Sequence, residues 1–333
     1  HVLITFLMND SVGCNICPVH HVLFHKFQSD FVYLKVNIIY HLYILTCMIV
    51  TSYNSKKLAK KVARKLGVPF VGIKQQDFPD GEMHLTYNNT NAKIKHVIII
   101  ESFQPDPNET LLRVCMMAEG ARQNGAKKVT VVAPYLGFMR QDKMFCTGDV
   151  QSNVVMGQIL SLFADKVVTI DPHLHRVRSL KEVFKCKTLC LSANDTIAAY
   201  IKRKFKKPVI IGPDWESYQW AEAIAAQVGC DSTVLEKTRY SGRKVTSKLL
   251  KPVNLKGKDC IIVDDIISTG HTMVEAMKKA KGARSVHAIG VHGLFVENAL
   301  KKMSKFDSVL CTNTIERENS KIDVSDLIAQ CFL

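Results

Sequence analysis

CIIVDDIISTGHT, residues 260–272, changes character twice. Ile261, Ile262 and Val263 form a short apolar run of the kind used by a strand buried on both faces. Two adjacent carboxylates follow, Asp264 and Asp265. The turn Ser268-Thr269-Gly270-His271-Thr272 is small and rich in hydroxyls, and a helical pattern starts behind it. A strand ending in acids and a hydroxyl-bearing turn at a helix N-terminus suits a sugar phosphate. Backbone N–H groups, hydroxyls and the positive end of the helix dipole can meet a phosphate. The carboxylates can accept hydrogen bonds from sugar hydroxyls or hold a hydrated Mg²⁺. The plainer alternative is an ordinary strand–loop–helix with solvated acids.

Working outward, the same alternation runs through most of the chain. Met48–Thr51 reads as a strand, and Leu58, Val62 and Leu66 share one face of a basic helix that Gly67 can cap. Strands are expected at 68–73, 96–101, 129–133 and 166–170, and helices at 109–124 and 153–163. The second half repeats the pattern. Helices are expected at 195–205, 216–228, 273–281 and 296–303, and strands at 209–211, 232–236 and 287–291. Residues 237–244, KTRYSGRK, read as a basic, glycine-containing loop. Repeated strand–helix units imply parallel sheets with helices on both faces, twice over. Ligands of such sheets bind at the carboxyl ends of strands. The expected organisation is two α/β domains, 48–190 and 191–333, joined near residue 190.

Residues 1–47 differ from the rest of the chain. They hold five of the 12 histidines, two acids and two lysines, and show poor helical periodicity. Cys14 and Cys17 with His20, His21 and His25 resemble half of a zinc site, but no distal ligand pair matches them. Residues 34–50 are apolar but interrupted by Lys35, Asn37 and His41, too polar for a membrane span. The segment reads as an upstream extension, with Met48 as the expected start of the functional chain.

The 333 residues are 47% hydrophobic and 23% charged, the composition of a globular chain, with a formal net charge of +15. The basic residues are spread over many helices, without a long basic block or an aromatic-interleaved run. That pattern argues against nucleic-acid and membrane partners and fits phosphorylated small molecules. The 11 cysteines have no framework spacing. Cys115, Cys190, Cys260 and Cys311 lie in apolar runs and read as core residues of a reducing, cytoplasmic compartment.

Four further elements carry polar chemistry. Phe78-Pro79-Asp80-Gly81-Glu82 supplies an aromatic face and two acids. Arg140-Gln141-Asp142-Lys143 supplies donors suited to a polyphosphate or a purine edge. Asp171 and His173 point the same way if the strand continues through Pro172, and together could hold a metal. Lys237 and Arg239 could clamp charge developing on phosphoryl oxygens. Taken singly each is weak, since a strand-end histidine is often structural and a loop KTR is often solvated.

Together and in this order they resemble the ribose-phosphate pyrophosphokinases, which make phosphoribosyl pyrophosphate (PRPP). The resemblance runs from about Met48 to the C-terminus. It includes FPDGE, PYLGFMRQDK, DPH at 171–173, PD at 213–214, the EKTR stretch, VDDIISTGHT, and a tail with TNTI and DVSDLIA. The central stretch also resembles the PRPP loop of type I phosphoribosyltransferases, which lack the FPDGE–RQDK half. The resemblance implies two phosphoribosyltransferase-like α/β domains. It implies that Phe78, Asp80, Glu82, Arg140 and Gln141 bind ATP, with FPDGE offered from a neighbouring subunit of a homo-oligomer. His173 then helps place Mg²⁺ and ATP, with Asp171 and Asp214 as further metal residues. Lys237 and Arg239 become the catalytic pair. Asp264 and Asp265 take the ribose hydroxyls of ribose 5-phosphate, and Ser268, Thr269, Gly270, His271 and Thr272 take its phosphate.

Three neighbourhoods depart from the family pattern. The usual loop is D/S-T-x-G-T, and here His271 stands at the usual glycine. Leu174–Ser179 replaces the usual polar run after DPH, and Met144–Asn153 is altered after RQDK. Two other readings share part of the pattern: a PRPP-consuming transferase, and a silent regulatory homologue. The first lacks the ATP elements and the second would lose Lys237 and Arg239, both present here.

Overall fold

The computed structural model describes residues 46–88, 94–174, 177, 179–241 and 244–333, with the backbone alone over 236–248. The readings placed on residues 1–45, Cys14 and Cys17 among them, lie outside the described residues. So do the side chains of Lys237 and Arg239.

Seven strands make the first sheet: β1 (Cys47–Thr51), β2 (Phe70–Asp77), β3 (Met83–Tyr87), β4 (His96–Ile100), β5 (Lys128–Ala133), β6 (Lys166–Ile170) and β7 (Lys187–Leu191). Their order is β3-β2-β1-β4-β5-β6-β7, parallel except for the β2–β3 hairpin. β1 and β4 are buried at every residue, which is why they read as continuous apolar runs. The crossover helices are α1 (Lys56–Leu66), α2 (Pro107–Gln123) and α3 (Ser152–Phe163). α1 buries Leu58, Ala59, Val62, Ala63 and Leu66 and turns its lysines outward. It ends in a left-handed Gly67, φ 66°, whose N–H donates to Arg64 O while Val68 N–H donates to Ala63 O. That pair of bonds is a Schellman close, which glycine enters without a Cβ penalty.

The second sheet contains β8 (Pro208–Gly212), β9 (Ser232–Ser241), β10 (Lys244–Leu249), β11 (Asp259–Ile267), β12 (Ser285–Gly293), β13 (Ser308–Thr312) and β14 (Ser320–Ile322). Its order is β10-β9-β8-β11-β12-β13-β14, again with an antiparallel hairpin at one edge. The two sheets therefore have the same topology. α4 (Asn194–Lys204), α5 (Tyr218–Val228), α6 (His271–Met277), α7 (Ala299–Lys302) and α8 (Ser325–Gln330) complete this half.

Four expectations are corrected. The basic stretch at 237–244 is the end of β9 and the start of β10, with Lys237 opposite Ser247 and Arg239 opposite Val245. Helix 296–303 shortens to the four residues of α7. β6 stops at Ile170, so Asp171 is not in the strand; its φ is +36°. Cys190 is exposed, because β7 is an edge strand.

The halves are tied together by the end of the chain. Residues 46–333 form one compact unit. α8 packs on α1, and Glu316 Oε1 accepts the Leu58 N–H at 2.8 Å, satisfying a donor of the first turn of α1. Lys61 pairs with Asp323 at 2.8 Å, and Lys65 with Asp326.

Candidate active site

The carboxyl ends of the strands from the two sheets face one another. After β5 the chain carries Arg140, after β6 it carries His173, and β11 itself carries Asp264 and Asp265. Arg140, His173, both aspartates and residues 268–272 line one cavity of about 200 Å³. Asp171, Asp214, Glu216, Ser217, Trp220 and the same two aspartates line a neighbouring cavity of about 220 Å³. The acidic pair stands between the two spaces.

His173 Nδ1 lies 2.7 Å from Asp265 Oδ2, a contact between the halves. Asp265 Oδ1 accepts its neighbour's Ile266 N–H at 2.7 Å, and Asp264 Oδ1 accepts the Asp265 N–H at 3.1 Å. Burial pushes the Asp264 carboxyl well above the usual range, and the charges of Asp265 and Asp214 push the same way. Asp171 is raised to about 6 by burial, although Ala193 N–H donates to its Oδ2 at 2.7 Å. Raised proton affinity in a cluster of carboxylates marks a place where positive charge would be welcome. The oxygen donors fit a hard cation such as Mg²⁺. Among the described residues no three His, Cys, Asp or Glu side chains converge as a preformed metal site. Mg²⁺ does not need one, since it keeps waters and takes one or two carboxylates alongside substrate phosphates.

The expected pairing of Asp171 with His173 is corrected. Because the strand ends at Ile170, Asp171 lines the cavity with Asp214 while His173 lines the other with Asp265. Asp214 also holds the turn before α5, its Oδ1 accepting Ser217 N–H at 3.1 Å.

In the turn at 268–272, Gly270 is left-handed at φ +77°, and a Cβ there would stand 2.8 Å from Met303 Sδ. His271 is the first residue of α6 and is exposed, with its Nδ1 3.4 Å from Thr269 Oγ1. The side chain at the usual glycine position therefore points clear of the core, and the preceding glycine takes the close approach.

Other expected site residues lie apart. Phe78 to Glu82 form the tip of the β2–β3 hairpin, closed by Phe78 N–H to Glu82 O and Gly81 N–H to Phe78 O, both 2.8 Å. All five are exposed, Phe78 by 52%, and none lines either cavity. Gln141 is bonded to Ser152 Oγ beside Arg140. Two residues gave no signal in the sequence. Trp220 lines the acidic cavity with an indole N–H that is buried without a hydrogen-bond partner. His292, at the end of β12, is 1% exposed and bridges to the first half.

Family models match both halves. Residues 47–161 match the N-terminal domain of ribose phosphate pyrophosphokinase, and residues 180–327 match the phosphoribosyl transferase domain. A ribose-phosphate pyrophosphokinase of Methanobrevibacter smithii is 33% identical over 298 residues, covering 85% of this chain and 98% of that protein. The chain belongs to the ribose-phosphate pyrophosphokinase family. The Pyrococcus furiosus ribose-phosphate pyrophosphokinase is 32% identical over 282 residues, covering 83% and 97%. The crystal structure of a phosphoribosylpyrophosphate synthetase from Mycobacterium smegmatis superposes with a TM-score of 0.74, covering 86% and 97%; at 23% identity it speaks to the fold.

Proposed function

We propose that this chain is a ribose-phosphate diphosphokinase. It transfers the pyrophosphoryl group of Mg²⁺-ATP to the anomeric hydroxyl of ribose 5-phosphate, giving PRPP and AMP for nucleotide biosynthesis in the cytoplasm. The observation that supports this best is a shared cavity: Arg140 and His173 of the ATP half line the same space as the PRPP loop of the other half. A PRPP-consuming transferase would need only the second of these. The relatives matched over nearly their whole length carry the same activity in their names. Among the described residues no helix is long and apolar enough to cross a membrane.

In this reading residues 48–190 bind ATP and 191–333 bind ribose 5-phosphate. Ser268 to Thr272 receive the phosphate, and Asp264 and Asp265 receive the ribose hydroxyls. Arg140 and Gln141 contact ATP, and Phe78, Asp80 and Glu82 reach the ATP of a neighbouring subunit in a homo-oligomer. Asp171 and Asp214 in one cavity, and His173 in the other, are the residues assigned to Mg²⁺, which when bound would neutralise charge on the polyphosphate. The anomeric oxygen attacks the β-phosphorus in line, and the bond from that phosphorus to the AMP oxygen breaks. Such a reaction needs positioning and charge neutralisation more than a protein nucleophile. Lys237 and Arg239, carried on the β9–β10 hairpin, are assigned to the charge that redistributes around the β-phosphorus.

The test is AMP release with and without ribose 5-phosphate, on the wild type and two variants. Ribose-5-phosphate-dependent AMP release is expected. Lys237→Ala should lower turnover by about 10²–10³, the usual loss for a preorganised donor to transition-state charge. Asp265→Asn should mainly raise the KM for ribose 5-phosphate. AMP release that ignores ribose 5-phosphate would overturn the activity. Near-normal turnover in Lys237→Ala would remove that residue from the transition state.

A further inference from the structure

His292 is a buried polar residue in an otherwise apolar strand end, and both of its ring nitrogens are engaged. Nε2 lies 3.0 Å from Ile170 O and 3.1 Å from Asp171 O, which belong to the other half. Two carbonyls can only accept, so Nε2 carries the proton. Nδ1 lies 2.9 Å from Thr314 Oγ1. Nδ1 of a neutral ring can then accept, and the Thr314 hydroxyl beside it also reaches Val291 O at 3.0 Å. The Val291 carbonyl also accepts the hydroxyl of Thr312, at 2.8 Å.

The contact closes a ring of interactions across the two halves. The imidazole lies against Tyr135, centroids 5.0 Å apart. Tyr135 N–H donates to Ser102 Oγ at 3.3 Å, and Ser102 Oγ donates to Thr314 O. Thr314 returns to His292. Tyr135 begins the segment that leads to Arg140, and Asp171 lies two residues before His173. On its own sheet His292 is in register with Ile266, next to Asp265. One side chain thus touches the bases of three segments that meet at the cleft, without lining either cavity there.

We propose that His292 is a positioning residue for the transfer reaction: by holding the Ile170 and Asp171 carbonyls, it sets the His173 loop of the first half against Asp265 of the second. Asp171 has φ +36°, in the left-handed region that non-glycine residues rarely adopt, so its conformation depends on such outside contacts. The kinetic consequence rests on the proposed diphosphokinase activity; the geometric one does not.

The experiment compares His292→Leu, His292→Gln and His292→Asn. A glutamine amide can place a donor near the Nε2 position, an asparagine amide reaches only as far as Nδ1, and leucine offers neither. Expected is a fall in kcat of about 10- to 100-fold for the leucine and asparagine variants with KM nearly unchanged, and recovery of most of kcat in the glutamine variant. The His173 ring resonance, followed by NMR, should move in the leucine and asparagine variants and stay near its wild-type position in the glutamine variant. An unmoved His173 resonance in His292→Leu overturns the proposal. So does a loss of kcat that tracks melting temperature alone across the three variants. If the wild type shows no ribose-5-phosphate-dependent AMP release, the functional reading fails, and the NMR comparison still decides whether His292 positions His173.

Discussion

At the scale of single residues, the turn at 268–272, to which we assign the phosphate, depends on a conformation as much as on a side chain. Gly270 combines φ +77° with a close approach to Met303, which is 1% exposed. In Gly270→Ala the left-handed backbone alone costs about 1–2 kcal/mol, and the displaced thioether adds to it. The expected result is a melting temperature lower by several degrees and a raised KM for ribose 5-phosphate. Both are readable by thermal melting and steady-state kinetics, and an unchanged melting temperature would mean that the loop relaxes freely. The acidic pair, the hydroxyl turn and this glycine were legible because their spacing is local. His292 was not. A lone histidine in IGVHGLF has the pattern of any buried strand end, and its partners Ile170 and Thr314 are 122 and 22 residues away in sequence. Trp220 was missed for the same reason, since an indole on a helix face reads as core.

At the scale of elements, the strands buried on both faces were readable and the edge strands were not. β1, β4 and β8 fall within a residue or two of the apolar runs that announce them. β3 (MHLTY) and β10 (KVTSKL) are polar or mixed in sequence, and their strand character shows only in their pairing with β2 and β9. This is why KTRYSGRK reads as a loop although its backbone is a hairpin. The β2–β3 hairpin has a functional consequence. Its tip exposes Phe78, Asp80 and Glu82 to solvent, away from both cavities of its own chain. If that tip serves a neighbouring subunit, two defective chains should complement. Asp80→Ala and Lys237→Ala, each inactive alone, should recover part of the activity when mixed into hetero-oligomers, because some sites then receive an intact hairpin and an intact Lys237. No recovery in verified mixed oligomers would place the whole site within one chain.

At the scale of the whole molecule, the alternation of strands and helices implied two parallel sheets, but not that they share one strand order. Strand order is a matter of non-local pairing, which no local pattern encodes. Nor did the sequence suggest that α8 returns to pack on α1, since the ion pairs there join residues about 260 positions apart. The buried titratable groups link this assembly to pH. Burial lowers His96 to about 4, with the Lys128 charge adding to the effect, and burial lowers His292 to about 4. Unfolded histidine titrates near 6.5, so each contributes stability that is present above that pH and lost as pH falls toward 4. Asp171, raised to about 6 by burial, acts in the opposite sense. Its contribution is present below about 4 and lost as pH rises through 6. Between pH 4 and 6 unfolding thus takes up protons at His96, His292 and the likewise lowered His287 and releases them from Asp171 and from Asp264, also held above its usual range by burial, so the two directions nearly cancel. Below pH 4 two more aspartates act in the direction of the histidines. Burial alone would raise Asp259, but hydrogen bonds from Arg284 and Ser285 outweigh it and hold the group at about 2. Asp323 is likewise held at about 2 against its burial by Lys61, Ser325 and Asn313. Their stabilisation is present above about 4 and lost as pH falls through 2. The +15 formal charge rises further on acidification and adds self-repulsion of the same sign. Melting temperature should therefore change little between pH 6.5 and 4.5 and fall steeply below pH 4. Relative to the wild type, His96→Gln should gain melting temperature as pH falls from 6.5 to 4.5, because it removes one of the proton uptakes that oppose Asp171 and Asp264. A His96→Gln curve that runs parallel to the wild type between pH 6.5 and 4.5 would show that His96 is not a neutral, buried group in the folded protein.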